Sequence, residues 1–327
     1  MRRAVAITLL AALAAAPALR AQAPGQSAPR EEAESLVTPT GTIYGTLRLP
    51  DGSGPWPVAL VIAGSGPTDR NGNTPLIRGR NDALLLVAQA LAAHGIASLR
   101  YDKRGIAASA RAMRAEADLR FDDYVNDAAG WLRRLRADPR FTTLTVVGHS
   151  EGSLVGMLAA TTAGADGFVS LDGAGRPAAA ILHEQLARQL PPDRLAQADS
   201  IFARLSAGET VDSVPAKLWL LVRPSVQPYL ISWFRHDPAR DLAAFPGPAL
   251  VVQGTTDLQV DTADAARLAS ADPRARLALV DGMNHVLKLA PADPARQAAA
   301  YSDPSLPLAP DLVRAVTGFI LGLRATR

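Results

Sequence analysis

Short, continuous apolar runs recur along the chain between stretches with helical periodicity. Each run is bounded by turn residues, which is typical of strands that are buried on both faces of a parallel sheet. The predicted strands are Pro57–Ala63, Ile96–Tyr101, Leu144–Val147, Gly167–Asp172, Pro248–Gln253 and Leu277–Val280. The predicted helices are Asp82–His94, a helix with Tyr124, Ala128, Trp131, Leu132 and Leu135 on one face, Ser153–Ala160, Thr262–Ala271 and Leu312–Leu323. This order of strand and helix predicts the α/β class, with a mostly parallel, doubly wound sheet.

The alternation is interrupted between residues 177 and 245. Helical patches replace the expected strands there, at Ala178–Leu190, Asp193–Leu205 and Pro224–Phe234. We therefore predict a helical cap at 177–245, inserted into an α/β core that is formed by 36–176 and 246–327. The cap is also rich in aromatic residues, which predicts an apolar wall for a substrate. The predicted substrate-binding residues are Trp219, Tyr229, Trp233 and Phe234.

Two segments precede the core. Residues 1–23 have two arginines after Met1, then an apolar run, and then small residues at Ala21 and Ala23, which is the pattern of a cleaved signal peptide. Residues 24–35 are rich in Pro, Gly, Ser and charge, and they predict a flexible leader. The stretch Leu36–Leu49 that follows predicts a hairpin at the start of the core. We expect a periplasmic or secreted protein with no membrane span after removal of the signal, and without cysteine no lipid is attached at a cysteine.

The formal net charge of +3 comes from the predicted signal peptide. That segment has three arginines and no acidic residue, which leaves 34 − 3 = 31 basic against 31 acidic residues in the rest of the chain. A chain without net charge gives no electrostatic reason to expect a nucleic-acid partner. The five histidines are scattered and cysteine is absent, so we predict neither a metal site nor a cofactor.

The sharpest motif is a pentapeptide between a predicted strand and a predicted helix, Gly148-His149-Ser150-Glu151-Gly152. A serine on such a sharp turn is forced into strained backbone angles that aim its hydroxyl outward. The flanking glycines let strand and helix pass closely, and the N-terminus of the helix favours developing negative charge. The pentapeptide resembles the nucleophile elbow of α/β-hydrolases, with Ser150 as the nucleophile.

A serine nucleophile needs a base and an acid that orients the base, and the order along the chain in this fold is serine, acid, histidine. Asp257 ends one predicted strand after the cap, and His285 lies in the loop after the next strand. Both loops lie at the carboxyl edge of the sheet, where α/β active sites assemble. Asp172 remains an alternative acid, because it ends the strand that follows the elbow.

Two backbone N–H groups are expected to stabilise the oxyanion of the tetrahedral intermediate. One belongs to Glu151, directly after the nucleophile. The other belongs to the glycine-rich loop after the third strand, Pro57–Ala63, where Ser65 is the first choice and Gly66 the second.

Five separated motifs together resemble exported bacterial α/β-hydrolases that are described as serine-aminopeptidase-like or as carboxylesterases. Besides the pentapeptide, these motifs are Gly64-Ser65-Gly66-Pro67-Thr68-Asp69-Arg70, Arg100-Tyr101-Asp102-Lys103-Arg104-Gly105, Gln253-Gly254-Thr255-Thr256-Asp257 and Gly282-Met283-Asn284-His285-Val286-Leu287-Lys288. The resemblance implies an α/β-hydrolase fold and a Ser150–Asp257–His285 triad. We interpret the turn Asp102–Gly105 as architectural.

The sequence therefore predicts a serine hydrolase that cleaves a small-molecule carboxylic ester through an acyl-enzyme. Two other functions remain open. An aminopeptidase or amidase on the same triad would need a cap carboxylate for a substrate ammonium, and the candidates are Glu184, Glu209, Asp212 and Asp237. A catalytically inactive binding protein of the same fold is the other alternative.

Overall fold

One mixed sheet of eight strands forms the centre of the protein. The computed structural model describes residues 30–324, so the predicted signal peptide lies outside the described residues. The strands are β1 (Arg30–Thr38), β2 (Gly41–Leu49), β3 (Trp56–Ile62), β4 (Ala97–Tyr101), β5 (Phe141–His149), β6 (Gly167–Leu171), β7 (Ala249–Gly254) and β8 (Ala275–Val280). Their order across the sheet is β1-β2-β4-β3-β5-β6-β7-β8. The pairs β1–β2 and β2–β4 are antiparallel and the other neighbours are parallel, which confirms the predicted fold class.

Helices cover both faces of this sheet. They are α1 (Ala83–Ala93), α2 (Phe121–Arg136), α3 (Glu151–Ala163), α4 (Ala178–Ala187), α5 (Pro192–Ser206), α6 (Trp219–Val222), α7 (Gln227–Trp233), α8 (Pro238–Ala243), α9 (Thr262–Ser270), α10 (Pro294–Gln297) and α11 (Pro310–Leu321). Within residues 30–324, no helix combines the length and the apolar composition needed to cross a membrane.

The central strands are continuous apolar runs because helices cover both faces of the sheet. In β3, Val58, Leu60 and Ile62 pack into one apolar cluster, together with α2, α3 and the cap. The alternate residues Ala59 and Val61 pack into a second cluster with α1 and α11. Since neighbouring side chains of a strand point to opposite faces, both sets must be apolar.

The predicted flexible leader is wrong for its last part, because strand β1 begins at Arg30 and not near Leu36. Every residue of β1 is paired with β2, from Arg30 opposite Leu49 to Thr38 opposite Gly41. The carboxylate of Glu31 accepts hydrogen bonds from Arg48 at 2.8 Å and Arg100 at 2.9 Å. Charged residues are therefore stable in this edge strand, and composition alone did not reveal their partners.

Five helices, α4 to α8, lie between β6 and β7 and occupy the predicted cap segment. They pack on one another and on the core, with α7 against α2 and α8 against α3. The hydroxyl of Ser232 in α7 accepts a hydrogen bond of 2.8 Å from the backbone N–H of Phe121, at the start of α2. The cap is thus joined to the core on the side of the sheet that carries α2 and α3.

Candidate active site

Ser150 occupies a strained turn between β5 and α3. Its backbone angles are φ 54° and ψ −122°, and residues other than glycine rarely adopt positive φ. A Cβ at Gly148 would lie 2.2 Å from the carbonyl oxygen of Gly152. A Cβ at Gly152 would lie 2.4 Å from the carbonyl oxygen of Ile62 in β3. Strand and helix therefore meet so closely that only glycine fits two residues before and two residues after the serine.

Asp257 and His285 meet at the carboxyl edge of the sheet, in the loops after β7 and β8. Nδ1 of His285 lies 2.8 Å from Oδ2 of Asp257, and both side chains are buried. The other oxygen of Asp257 accepts the backbone N–H groups of Gln259 at 2.7 Å and Val260 at 3.2 Å. A carboxylate accepts the Nδ1 proton, so Nε2 of His285 is left with a free lone pair. His285 and Ser150 line the same cleft.

The two groups shift each other's pKa. Burial by itself lowers the pKa of His285, but the charge of Asp257 and the hydrogen bond to it outweigh burial and hold this pKa above its usual 6.5. Burial by itself raises the pKa of Asp257, but His285 and the backbone N–H donors lower it below its usual 3.8. The pair therefore favours a carboxylate next to a histidine of increased basicity.

Asp172, the alternative acid, has a different environment. It follows β6 with a φ of 48°, and it is fully buried. One oxygen accepts the backbone N–H of Gly254 at 2.9 Å, and the other has no hydrogen-bond partner among the described residues. Burial raises the pKa of the Asp172 carboxyl group well above its usual value, so burial favours the neutral form of this side chain. The structure bonds Asp257, and not Asp172, to His285.

His149 packs beside the site without a direct place in the pair. Its ring centroid lies 4.9 Å from that of His285, and its Nε2–H donates to the backbone carbonyl of His285 at 2.8 Å. Burial lowers the pKa of His149 to about 3, so the ring is neutral. Ligand atoms of His149, Asp172 and His285 lie within 4.8 Å of one another, a spacing that suits a metal ion. The hydrogen bonds of the two histidines account for their closeness without an ion.

Lys103 and Glu151 form a buried ion pair next to the two predicted oxyanion donors, the backbone N–H groups of Ser65 and Glu151. Nζ of Lys103 donates to the carbonyl of Gly64 at 2.6 Å and to the carboxylate of Glu151 at 2.7 Å. The lysine and glutamate side chains are only 1% and 2% exposed. The hydroxyl of Tyr229 in α7 donates to the second oxygen of Glu151 at 2.5 Å. Lys103 thus joins the loop before Ser65 to the residue after Ser150 and, through Tyr229, to the cap.

A cleft beneath the cap begins at Ser150, and Ser65 and Glu151 line its floor. We call it the cap-side cleft, and its cavity volume is about 70 Å³. Its apolar lining residues are Leu154, Ala174, Ala178, Ile181, Leu182, Trp233, Pro238 and Val260. Arg176, Gln185 and Gln259 supply the polar groups of its wall.

The four aromatic residues predicted to bind substrate have different environments. Trp233 lines the cap-side cleft. The hydroxyl of Tyr229 is bonded to Glu151, and Phe234 packs against Phe202 with ring centroids 5.8 Å apart. Trp219 is 48% exposed, and neither it nor Tyr229 nor Phe234 is among the residues that line this cleft. Successive helical residues point about 100° apart, so Trp233 and Phe234 cannot face the same wall.

Sequence reasoning missed several residues of the site. Lys103 was assigned to an architectural turn, and Arg176, Gln185 and Gln259 were not considered. The spacing of Ala178, Ile181 and Leu182 in α4 could have indicated an apolar helix face. The role of Lys103 had no signal in the sequence, because its partners lie 39 and 48 residues away.

Residues 82–215 match the model of the family described as serine aminopeptidase, S33. Esterase EstD of Thermotoga maritima is 25% identical over 264 residues, which cover 79% of this chain and 61% of that protein. The chain thus spans somewhat less than two thirds of this curated relative.

Solved structures show the same fold at low sequence identity. Est1E from Butyrivibrio proteoclasticus matches with a TM-score of 0.56 and 16% identity, over 88% of this chain and 97% of that chain. The esterase domain of a Rhodothermus marinus protein matches with a TM-score of 0.54 and 17% identity, over 90% and 96%. The solved structures show that the chain has the α/β-hydrolase fold. Part of the chain is also similar to the serine aminopeptidase S33 family and to an esterase.

Replacing Lys103 by methionine is expected to lower the free energy of unfolding by about 3–5 kcal/mol, because it leaves the buried carboxylate of Glu151 without its cation. The double variant Lys103→Met, Glu151→Gln should regain part of this loss, since both charges are then removed. Urea denaturation measures the difference. Arg240→Met is the control, because this arginine is exposed and its ion pair should contribute less than about 1 kcal/mol. A loss below about 1 kcal/mol for Lys103→Met would contradict the predicted stabilisation by this ion pair.

Proposed function

We propose that this protein is a serine hydrolase that cleaves carboxylic esters through an acyl-enzyme. The observation that carries the proposal is the buried hydrogen bond of 2.8 Å between Asp257 and His285, at the same sheet edge as the strained Ser150. Ser150 Oγ attacks the ester carbonyl while Nε2 of His285 takes its proton. Asp257 holds His285 in the required tautomer and stabilises the imidazolium. The backbone N–H groups of Glu151 and Ser65 stabilise the oxyanion.

The proton then returns in the second half of the cycle. His285 protonates the leaving alkoxide, which departs as the alcohol. Water enters, loses its proton to His285 and attacks the acyl-enzyme, and Ser150 regains its proton when the carboxylic acid is released. An alkoxide is a better leaving group than an amide nitrogen, so esters make the smallest demand on His285.

The charges around the cap-side cleft favour esters over aminoacyl amides. An aminopeptidase needs a free carboxylate for the substrate ammonium, and none of the four cap carboxylates named above is among the residues that line this cleft. Both oxygens of Glu184 accept hydrogen bonds of 2.7 Å from Arg176, and Asp237 caps α8. Glu151 reaches the cleft, but Lys103 and Tyr229 already occupy its two oxygens. Est1E, which shares the fold, has been solved with ferulic acid bound.

Ser150→Ala should lower the turnover of p-nitrophenyl butyrate by roughly 10³-fold or more and abolish labelling by a fluorophosphonate probe. Ser206→Ala, at an exposed position in the cap, is the matched control and should keep both. The same preparations are assayed with aminoacyl anilides. Faster cleavage of the anilides than of the esters would support the aminopeptidase. Unchanged activity of Ser150→Ala would contradict the proposed nucleophile, and a wild-type protein that neither labels nor turns over would support the inactive binding protein.

Asp257→Asn should lower kcat/KM by roughly 10²–10⁴-fold, whereas Asp172→Asn should have a mild effect. Asparagine keeps the oxygen that accepts the N–H of Gly254, and His285 is bonded to Asp257 and not to Asp172. The wild-type kcat/KM should fall with decreasing pH through an apparent pKa above 6.5, because Asp257 raises the pKa of His285 and only the neutral ring accepts a proton. This acid limb should move to lower pH in Asp257→Asn and should move less in Asp172→Asn, because Asp257 raises the pKa of His285 more than Asp172 does. A larger loss in Asp172→Asn at equal stability would reverse the assignment of the acid.

Trp233→Ala should shift the preference toward longer acyl chains, because it enlarges the apolar wall of the cap-side cleft. Each additional buried methylene contributes about 0.8 kcal/mol, or about fourfold in kcat/KM. The measurement is the ratio of kcat/KM between octanoate and acetate esters. Trp219→Ala is the matched control and should keep the wild-type ratio, since this tryptophan lies on the outer surface. An unchanged ratio in Trp233→Ala would mean that the acyl chain binds elsewhere.

A further inference from the structure

A second cleft opens from Ser150 on the side away from the cap. It shares Ser65, Ser150 and Gln259 with the cap-side cleft, but the rest of its lining is different. The loop between β3 and α1 forms one wall, and His285, Val286 and Tyr301 form the other. The cavity volume of this cleft is about 250 Å³. Ser150, the candidate nucleophile, therefore lies where the cap-side cleft and this second cleft meet.

The position of His285 decides which half of an ester enters which cleft. The general acid must lie within hydrogen-bond reach of the leaving oxygen, so the alcohol half departs on the side of the histidine. His285 lines the second cleft and does not line the cap-side cleft. We propose that the second cleft is the leaving-group site and that it selects an uncharged, apolar alcohol of several carbons. This proposal rests on the ester hydrolysis proposed above.

The chemistry of the walls sets the class of alcohol. Among the described residues that line the second cleft there is no Asp, Glu, Lys or Arg, and the only titratable groups besides Tyr301 are the two histidines. A charged leaving group would lose water there without finding an ionic partner. Leu84 and Val286 contribute apolar surface deeper in the cleft, and both are buried. The hydroxyl of Tyr301 lies 3.2 Å from the side-chain nitrogen of Gln259 and accepts its hydrogen bond.

Leu76 and Ile77 form the apolar rim of this cleft. They are 74% and 39% exposed, so a large apolar area here faces solvent when no substrate is bound. An alcohol chain that packs against this rim would remove part of that area from water, which is a favourable change that a methyl ester cannot provide. The rim is therefore the part of the site that should distinguish long from short alcohols.

The loop that carries the rim is held in place at both ends. Oδ1 of Asp69 accepts the backbone N–H groups of Asn71 at 2.8 Å and Asn73 at 2.9 Å. Oδ1 of Asn73 in turn accepts those of Asn81 at 2.9 Å and Asp82 at 3.0 Å. These bonds join the two ends of the segment that contains Leu76 and Ile77. The site is thus formed before substrate arrives, which reduces the entropic cost of binding.

The first experiment varies the alcohol while the acyl group is kept as butyrate. Methyl, n-hexyl and cyclohexylmethyl butyrate are compared, because their alcohols differ in size but little in acidity. The wild-type protein should show kcat/KM at least about tenfold higher for the two larger esters than for the methyl ester. Choline butyrate, with a cationic alcohol, should be a poorer substrate than n-hexyl butyrate. Equal kcat/KM for methyl and hexyl butyrate would overturn the proposal.

The second experiment removes the rim with Leu76→Ser, Ile77→Ser. This double variant should lower the hexyl-to-methyl ratio by about fivefold or more and leave the octanoate-to-acetate ratio of the acyl series unchanged. Leu220→Ser is the matched control, since Leu220 is 83% exposed but lies on the cap outside both clefts. A change in the acyl ratio without a change in the alcohol ratio would show that the two clefts are assigned the wrong way round.

A third measurement tests the same site in the reverse direction. In the acyl-enzyme made from p-nitrophenyl butyrate, n-hexanol can replace water as the nucleophile. Its oxygen attacks the acyl carbon, its proton passes to His285, and Ser150 leaves and regains that proton, which yields hexyl butyrate. The double variant should form less hexyl butyrate relative to butyric acid than Leu220→Ser does. An unchanged partition would overturn the proposal.

Fluorophosphonate labelling separates this proposal from the one on which it rests. If Ser150 is not labelled and no ester is cleaved, the proposed hydrolase activity is wrong, and the proposed leaving-group site is then wrong as well. If Ser150 is labelled and p-nitrophenyl butyrate is cleaved, but the rim variant behaves as wild type in both alcohol assays, only the leaving-group site is wrong.

Discussion

The close approach of β5 and α3 at Ser150 is the constraint on which the site depends. Atoms of Gly152 and Ile62 lie where a Cβ at Gly148 or Gly152 would have to be, so the turn from strand to helix requires glycine two residues before and two residues after the serine. Ser150 takes the positive φ that this turn requires. Backbone strain of this kind costs about 1–3 kcal/mol and persists only where the surrounding structure determines it. Here the determining structure is the parallel sheet, in which β5 is paired on both sides.

The parallel sheet also explains how distant residues converge. The loops after β3, β4, β6, β7 and β8 all emerge at one edge, and they carry Ser65, Lys103, Asp172, Asp257 and His285. Two of these residues are carboxylic acids, and burial by itself raises the pKa of both. Asp257 has a histidine and two backbone N–H donors that lower its pKa below the usual value, whereas Asp172 has one backbone donor and its pKa is raised. The carboxyl group that is bonded to His285 is therefore the more acidic of the two.

The order of strands and helices and the elbow were predictable because each depends on local sequence. Continuous apolar runs indicated the buried strands, and Gly148 and Gly152 indicated a turn with no room for side chains. The start of β1 was not predictable, because Glu31 is stabilised in that strand by Arg48 and Arg100, which are distant in sequence. The same limit applies to the cap, where aromatic composition could not separate Trp233, which faces the cleft, from Trp219, which faces solvent.

The buried pair of Lys103 and Glu151 connects these parts physically. Glu151 places a negative charge next to the expected oxyanion, which by itself would oppose catalysis. Lys103 offsets that charge, and its bond to the carbonyl of Gly64 fixes the loop that carries Ser65. Tyr229 brings α7 of the cap into the same network, so movement of α7 away from the core would leave a buried carboxylate oxygen without its donor. Because such a loss costs about 1–3 kcal/mol, α7 and the oxyanion donors should hold their positions together while substrate is bound.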